Sequence, residues 1–541
     1  MRYPRRWRNA TSFPFAAYFP TKLTSDSTAV PEADLPETQR RWCSPSCQTL
    51  NHGHLIKLHA VRDIRKVVVI GAGISGLACA FRLRQLGIPV LILEASAKAG
   101  GVISTVRRNG FLFEAGPQCP RFPKSVWTLI FELGLQEEFI AGDPRAKRYI
   151  LRDGQLHRAP FSAGGLFTTS LVGLKSKYSL LSEVFRRSHP PTQEESLAEF
   201  VDRKFGAEVL DYLVDPFIST IFFGDPHRMG MLSAFPALVE WEQSRGSVVR
   251  GALSAYRSKR NRNAKSPSAE GSSARDSHSK RGDLHVTDAL PSLGSFKQGM
   301  GALVERLAEK LRDHLRFGVN VESITAQNGD NQPDPVWRIR LSSEELSAGA
   351  VVVATPAYAA APLLGESMAQ LSVLLAGIEH APMDVVSCAF DRRQIRHPLD
   401  GFGFMVPRRE RLHTFCTFWN SSLFPAHARS GTVVMTSFAA RGGDGNLDEV
   451  PDDVLGQHVE AENAAVLGIT GGPIDRMTWK YPRALPQYNV GHAQRVKEIR
   501  EALSQVPGLF LAGNYLAGRS IGDCVDTAFQ AADLLHSRFS S

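Results

Sequence analysis

The stretch KVVVIGAGISGLACAFRLRQLGIPVLILEAS, residues 66–96, leaves this chain fewer folding options than any other part of it. An apolar run from Val67 to Ile70 reads as a buried strand. Gly71, Gly73 and Gly76 follow with GxGxxG spacing, and a helical pattern from Leu77 to Leu86 then stops at Gly87. A second apolar run, Val90 to Leu93, ends on Glu94. Strand, glycine turn, helix and strand in this order predict a dinucleotide site. Gly71 permits the tight turn, Gly73 lets the backbone approach a pyrophosphate, and Gly76 lets helix pack on strand. The helix start offers unpaired N–H groups to phosphate, and Glu94 can accept from a ribose hydroxyl.

At 541 residues the chain can hold two or three domains. Its net charge of +9 is concentrated in two places. Residues 1–25 carry Arg2, Arg5, Arg6, Arg8 and Lys22 and no acid. Residues 250–283 carry nine Lys and Arg against Glu270, Asp276 and Asp283. The remainder is near neutral, so the high pI is a poor argument for nucleic-acid binding, and none is expected. The Arg-rich, acid-free start is the composition of a mitochondrial import leader. No apolar run reaches the roughly 18 residues of a spanning helix. The seven cysteines (43, 47, 79, 119, 388, 416 and 524) are scattered, and neither a metal site nor a disulfide framework is read from them.

Residues 1–63 read as leader and linker, and 64–122 as the first part of the nucleotide domain. Residues 123–250 read as helical; Leu197, Phe200, Val201, Phe205 and Val209 recur at helix spacing. Residues 251–290, rich in Ser, Lys and Arg, read as a disordered insertion. Nucleotide-domain sequence resumes over 291–356. LRFGVNVESI and VWRIRL form a hairpin-like pair, and AGAVVVATPA is a buried strand with a turn at Pro356. Residues 357–474 contain several strands and read as a substrate domain, and 475–541 close the nucleotide domain. The expected fold class is α/β: a Rossmann-like domain carrying an inserted β-rich domain and a helical, membrane-associating domain.

Beyond GAGISGL, the strings GGVIST, FEAGP, DPFISTIFFGDP, FKQGMGAL, VVVATPA, GFGFMVP, WKYPRALPQYNVGH and LAGNYLAGRSIGDCVD cover most of residues 64–535. Together they resemble the flavin amine oxidase superfamily and, within it, the oxygen-dependent protoporphyrinogen oxidases. No second GxGxxG is present, which favours oxygen or a quinone as electron acceptor over a pyridine nucleotide. The resemblance implies noncovalent FAD. Gly71, Ala72, Gly73, Ile74, Ser75 and Gly76 would line its phosphates, and Glu94 and Ala95 its adenosine ribose. Lys98 stands where the family usually has arginine, and Gly101, Val102, Gly116 and Gly513 fall in cofactor-contacting strings. Val321 would meet the adenine, while Trp479, Ile521, Gly522 and Asp523 would flank the flavin. Asp523 can also be a helix N-cap.

For substrate, the resemblance implies that Arg121 pairs a propionate of protoporphyrinogen IX, that Phe402 and Met405 clamp the macrocycle, and that Met435 lines the pocket. Thr220 stands where the family usually has glycine. Packing alone explains Phe402, Met405 and Met435 equally well. No catalytic base is nominated, since the chemistry is flavin-centred, and His492 is open to a structural reading. An amine or carotenoid oxidase and a non-catalytic FAD-binding protein remain alternatives, although AGRSIGDC lacks the Ser-Gly-Gly-Cys context of covalent flavin attachment. O2 is the implied oxidant, and a homodimer is left open. The basic leader implies mitochondrial import, the lack of a spanning run makes any membrane association monotopic, and a poorly soluble macrocycle as substrate favours the surface of the mitochondrial inner membrane, with lipid as a partner. The apolar segment SAGGLFTTSLVGLKSKYSLLSEVF, with Lys175, Lys177, Arg186 and Arg187, is the candidate contact, or else the face of an ordinary helical core.

Overall fold

A computed structural model describes residues 66–160, 163–186, 191–264, 290–327, 335–440 and 451–540. The expected leader over 1–63 lies outside the described residues. The first strand, β1 (Val67–Ile70), is central in a five-stranded parallel sheet. It pairs with β2 (Val90–Leu93) on one side and with Ala350–Val353 on the other. Leu509–Leu511 and Leu315–Arg316 form the two edges. Apart from the short edge Leu315–Arg316, each strand of this sheet is a run of apolar residues because both faces are covered. Val67 and Val69 face a core with helix α1 (Ile74–Gln85) and the helices Gly301–Lys310 and Ile521–Ser540. Val68 and Ile70 face a second core, shared with the three-stranded sheet Val321–Gln327, Val336–Leu341 and Glu345–Ala348. The α/β fold class read from the sequence holds.

A seven-stranded sheet forms the second body. Its order is Asp475–Pro486, His380–Asp391, Thr432–Ala439, Thr414–Phe418, Gly401–Met405, Lys147–Arg152 and Gln155–Arg158. Pairing is antiparallel except where Gly401–Met405 runs parallel to Lys147–Arg152. One face packs on the helix Asp452–Leu467. Helices between Leu174 and Ala264 surround a core of their own, with Leu197, Phe200, Val201 and Ile218 at its centre. The helix Leu197–Phe205 opens on a capping box: Ser196 Oγ accepts from Glu199 N at 3.2 Å, and Glu199 Oε2 accepts from Ser196 N at 2.8 Å.

Three boundaries differ from the sequence reading. The stretch read as helical from 123 contains the hairpin Lys147–Arg158, which joins the seven-stranded sheet. Its strands are short and charged; they pair with each other across a turn at Asp153 and Gly154, both at positive φ, and Lys147–Arg152 also pairs with the distant Gly401–Met405. The strand Asp475–Pro486 belongs to that sheet too, so the nucleotide domain resumes only after it. The helix Val248–Ala264 runs into the stretch read as disordered, whose residues 265–289 lie outside the description.

Candidate active site

At the carboxyl end of β1 three glycines do three different things. Gly71 has φ +100, and a Cβ on it would sit 3.2 Å from Ala354 O. A Cβ on Gly76 would lie 1.9 Å from Gly71 O, so the helix reaches the turn only without one. Gly73 has an ordinary φ of −70, and a Cβ on it would meet nothing within 4 Å. Across from it, a Cβ on Gly101 would meet only Gly73 Cα, at 3.5 Å. The fold therefore requires Gly71 and Gly76, while Gly73 and Gly101 border space that no protein atom fills. That space lies at the start of α1, which Gly73 caps without a side chain. Its free N–H groups and the helix dipole suit a phosphate.

The acid after β2 is held in place. Glu94 Oε2 accepts from Ala72 N at 2.7 Å, and Oε1 accepts from Ser96 N at 2.9 Å and Ser96 Oγ at 2.6 Å. Glu94 O accepts from Val319 N at 3.0 Å, which brings Val321 close to the same end of the sheet. Ala95 is exposed beside it. The Lys98 ammonium donates to Ser104 Oγ at 3.1 Å and stands exposed at the rim. Val102 is half exposed, and its carbonyl lies 2.2 Å from where a Cβ on Gly116 would be.

The C-terminal loop closes the far end. Tyr488 Oη donates to Asn514 O at 2.5 Å, and His492 Nε2 bonds Tyr515 O at 3.1 Å. The two rings stack 4.5 Å apart. Burial pushes the His492 imidazole down to about 4, so it is neutral near pH 7 and donates from Nε2 to the carbonyl. These contacts hold the loop that begins at Gly513. Ser520 and Asp523 form a capping box: Asp523 Oδ2 accepts from Ser520 N at 2.9 Å, and Ser520 Oγ accepts from Asp523 N at 3.1 Å. Ser520 is thus the N-cap, and Asp523 is its reciprocal partner rather than the cap itself. A Cβ on Gly522 would meet Pro123 Cγ at 2.5 Å, so the Ile521–Asp523 turn packs directly on the Arg121–Pro123 segment.

A wall of the seven-stranded sheet faces this corner. Gly401 pairs with Lys147 and Gly403 with Arg148, leaving Phe402 as the extra residue of a bulge. Gly403 has φ +142, and a Cβ on it would lie 1.9 Å from Thr417 O. The bulge turns the Phe402 ring toward Phe418, 5.8 Å away edge to face, and under the Arg148 guanidinium at 4.4 Å. Met405, Phe418, Trp479 and Tyr481 pack in one cluster with Cys416 and Phe223. The Thr220 hydroxyl lies against the Cys416 thiol. Arg121 is exposed, makes no ion pair among the described residues, and lies close enough to Arg148 for mutual repulsion.

Flavin containing amine oxidoreductases match this chain over residues 74–536. Protoporphyrinogen oxidase 2 of Arabidopsis thaliana is 30% identical over 497 residues, which cover 88% of this chain and 95% of the relative. Coproporphyrinogen III oxidase of Bacillus subtilis is 27% identical, over 88% of this chain and 99% of the relative. A crystallised protein of Exiguobacterium sp. 255-15 assigned to the protoporphyrinogen oxidases superposes with a TM-score of 0.70 at 25% identity, covering 88% of this chain and 99% of that one. The chain belongs to the flavin containing amine oxidoreductase family. It is a flavin-dependent oxidoreductase, and the cradle between Gly73 and Gly101 fits the nucleotide part of such a cofactor.

Within this family frame, the structure brings Thr220, Phe402, Met405 and Trp479 to one sheet face and Arg121 near Arg148. It does not bring Met435 there. Met435 pairs with Cys388 and packs with Phe390, Leu455 and Val459 on the opposite face, beneath the helix Asp452–Leu467. Alternation along Thr432–Ala439 sends Val434 and Phe438 to the site side and Met435 away from it. Sequence reasoning missed Arg148, Phe223, Phe418 and Tyr488. Phe223 ends the helix Asp215–Phe222 in a left-handed conformation, φ 48, that a bulky residue rarely adopts. It also passed over Glu114 of the FEAGP string. This buried carboxyl accepts from Met300 N and Thr105 Oγ1, both at 2.7 Å, and burial pushes it up to about 7.

Proposed function

We propose that this protein oxidises protoporphyrinogen IX to protoporphyrin IX in haem biosynthesis, with FAD bound noncovalently and O2 as acceptor. The observation that carries the reading is the 30% identity spread over nearly the whole length of a protoporphyrinogen oxidase, including both the cradle and the substrate wall. Six hydrogens leave the macrocycle in three two-electron oxidations, each matched by reduction of one O2 to H2O2. A bound flavin supplies that two-electron chemistry. Gly73, Gly101 and the start of α1 hold its phosphates, Glu94 takes a ribose hydroxyl, and Trp479 and the Ile521–Asp523 turn border the ring. Arg121 pairs a propionate, and Phe402, Met405 and Thr220 set the plane of the macrocycle. The apolar wall excludes water from the reacting face.

Noncovalent attachment is favoured because Cys524, the cysteine of the C-terminal string, points into the nucleotide core and burial pushes its thiol up to about 11. Membrane association is favoured by the helix Leu174–Ser182. Leu174 is 84% exposed and Phe185 is 87% exposed, and Tyr178 and Leu181 lie on the same face at helical spacing. Lys175 and Lys177 flank that stripe, the arrangement by which an interfacial helix meets anionic lipid. No helix among the described residues is long and apolar enough to cross a membrane. With the basic leader, these features favour a monotopic place at the mitochondrial inner membrane.

The deciding experiment supplies the purified flavin-loaded protein with protoporphyrinogen IX and follows porphyrin fluorescence together with H2O2. Three H2O2 per porphyrin are expected. A protein that retains flavin but forms no porphyrin refutes the reading. Acid precipitation should leave the flavin in the supernatant.

A further inference from the structure

A cavity of about 600 Å³ opens at the free edge of the seven-stranded sheet, beside the hairpin Lys147–Arg158. Arg145, Lys147, Arg148 and Arg158 line it; none of the described lining residues is acidic, and the nearby Asp143 carboxylate, which accepts from Arg145 N at 2.8 Å, offsets part of the Arg148 charge. Lys147 is offset by an ion pair with Asp400. Arg145 and Arg158 make no ion pair among the described residues, and both are exposed. Like charges gathered around one cavity repel, and an anion relieves that repulsion. Arg148 connects the cavity to the site already described: its guanidinium lies 4.4 Å over the Phe402 ring, and it neighbours Arg121 electrostatically. The cavity also falls within the size of small-molecule sites.

We propose that this cavity is a second carboxylate subsite, taking propionate arms of the porphyrinogen beyond the one that Arg121 pairs. The proposal rests on the porphyrinogen reading and deepens it. A macrocycle with two propionates reaches the cavity with at most one arm, whereas one with four fills both sites. Arg145 and Arg158 therefore set a preference by carboxylate count. They place four-carboxylate porphyrinogens, the substrate class in the name of the Bacillus subtilis relative, among the ligands this protein accepts.

The test uses the flavin-loaded full chain and its double variant Arg145→Gln with Arg158→Gln. Both side chains are exposed, so thermal stability and flavin content serve as fold checks. Equilibrium binding of coproporphyrin III and protoporphyrin IX is read by fluorescence, which needs no turnover. The variant should lose about tenfold in affinity for coproporphyrin III, the scale of a lost charge-assisted contact, and clearly less for protoporphyrin IX. Added salt should narrow the difference, and Arg145→Lys with Arg158→Lys should restore most of it. Equal losses for the two porphyrins, or none, overturn the proposal. Vesicles of phosphatidylcholine with one-fifth phosphatidylserine supply a second arm. If the variant loses vesicle binding while both porphyrin affinities hold, the cavity takes a lipid headgroup and the proposal falls. Cavity-dependent binding of coproporphyrin III without oxidation of any porphyrinogen would instead sink the functional reading and leave the subsite standing.

Discussion

The nucleotide cradle and the substrate wall both depend on glycine, but at different ranges. In the cradle, Gly76 and Gly71 are five residues apart in one turn, and the contact that forbids a side chain is local. In the wall, Gly403 meets Thr417 on the neighbouring strand, and its effect is to aim Phe402 at an arginine from the distant segment 147–152. The cradle is therefore a property of a short string. The wall exists only once separate strands have paired. The cradle itself contains a second contrast: a Cβ on Gly76 would strike the Gly71 carbonyl, whereas one on Gly73 would enter open space.

The largest effect should come from that inner contrast. Gly76→Ala drives a Cβ into the Gly71 carbonyl, an overpacking cost of about 3 kcal/mol or more, and should yield unstable, flavin-free protein. Gly73→Ala should stay within about 0.5 kcal/mol of the parent in stability, as for a surface change, yet lose most of its flavin. Denaturant melts and flavin absorbance separate the two. A Gly73→Ala protein with full flavin would show that the gap beside Gly101 does not hold the phosphates.

Gly403→Ala tests the wall in the same way. The bulge should relax or the strand shift, by about 1–3 kcal/mol, with flavin retained and the KM for porphyrinogen raised. An unchanged KM would show that Phe402 does not touch substrate. Arg121→Ala comes next: loss of one charge-assisted contact should weaken porphyrinogen binding by about 1.5–3 kcal/mol with no change in flavin content. Steady-state kinetics and a flavin spectrum read both halves.

The smallest effect, about 1 kcal/mol between pH 7 and pH 5.5, is pH-dependent and belongs to the clamp on the C-terminal loop. The His492 imidazole sits at about 4 when folded against its ordinary value of 6.5. Its neutral form is the folded form, so stability is full above pH 6.5 and falls as pH drops toward 4. The expected loss is about 1.4 kcal/mol per pH unit inside that window. Flavin should leave more readily at pH 5.5 than at pH 7. His492→Gln, which can still donate to Tyr515 O, should flatten the profile; an unflattened profile would assign the acid sensitivity to another group.

Much of the cradle was legible from residues alone. Glycine spacing, two apolar runs and a terminal acid placed β1, α1, β2 and Glu94 because their contacts are near in sequence. Family resemblance grouped Phe402, Met405, Trp479 and Met435; the structure gathers the first three around Phe418, and strand alternation puts Met435 on the opposite face. The hairpin Lys147–Arg158 was missed because KRYILRDGQLHR shows no strong period, although its Asp153–Gly154 pair, both at positive φ, is a local turn signal. Asp523 was recognised as a helix-start residue, but Ser520 as its N-cap was not.

By itself, then, the sequence determined the core of the parallel sheet and the glycine turn at its carboxyl end, because hydrophobic period and glycine stereochemistry act over a few residues. Tertiary structure alone decided which aromatic residues share a face. It also decided which carbonyls Tyr488 and His492 hold, and that Arg145, Lys147, Arg148 and Arg158 gather around one cavity. Those outcomes depend on register and on a bulge, where a shift of one residue moves a side chain to the opposite face of the sheet.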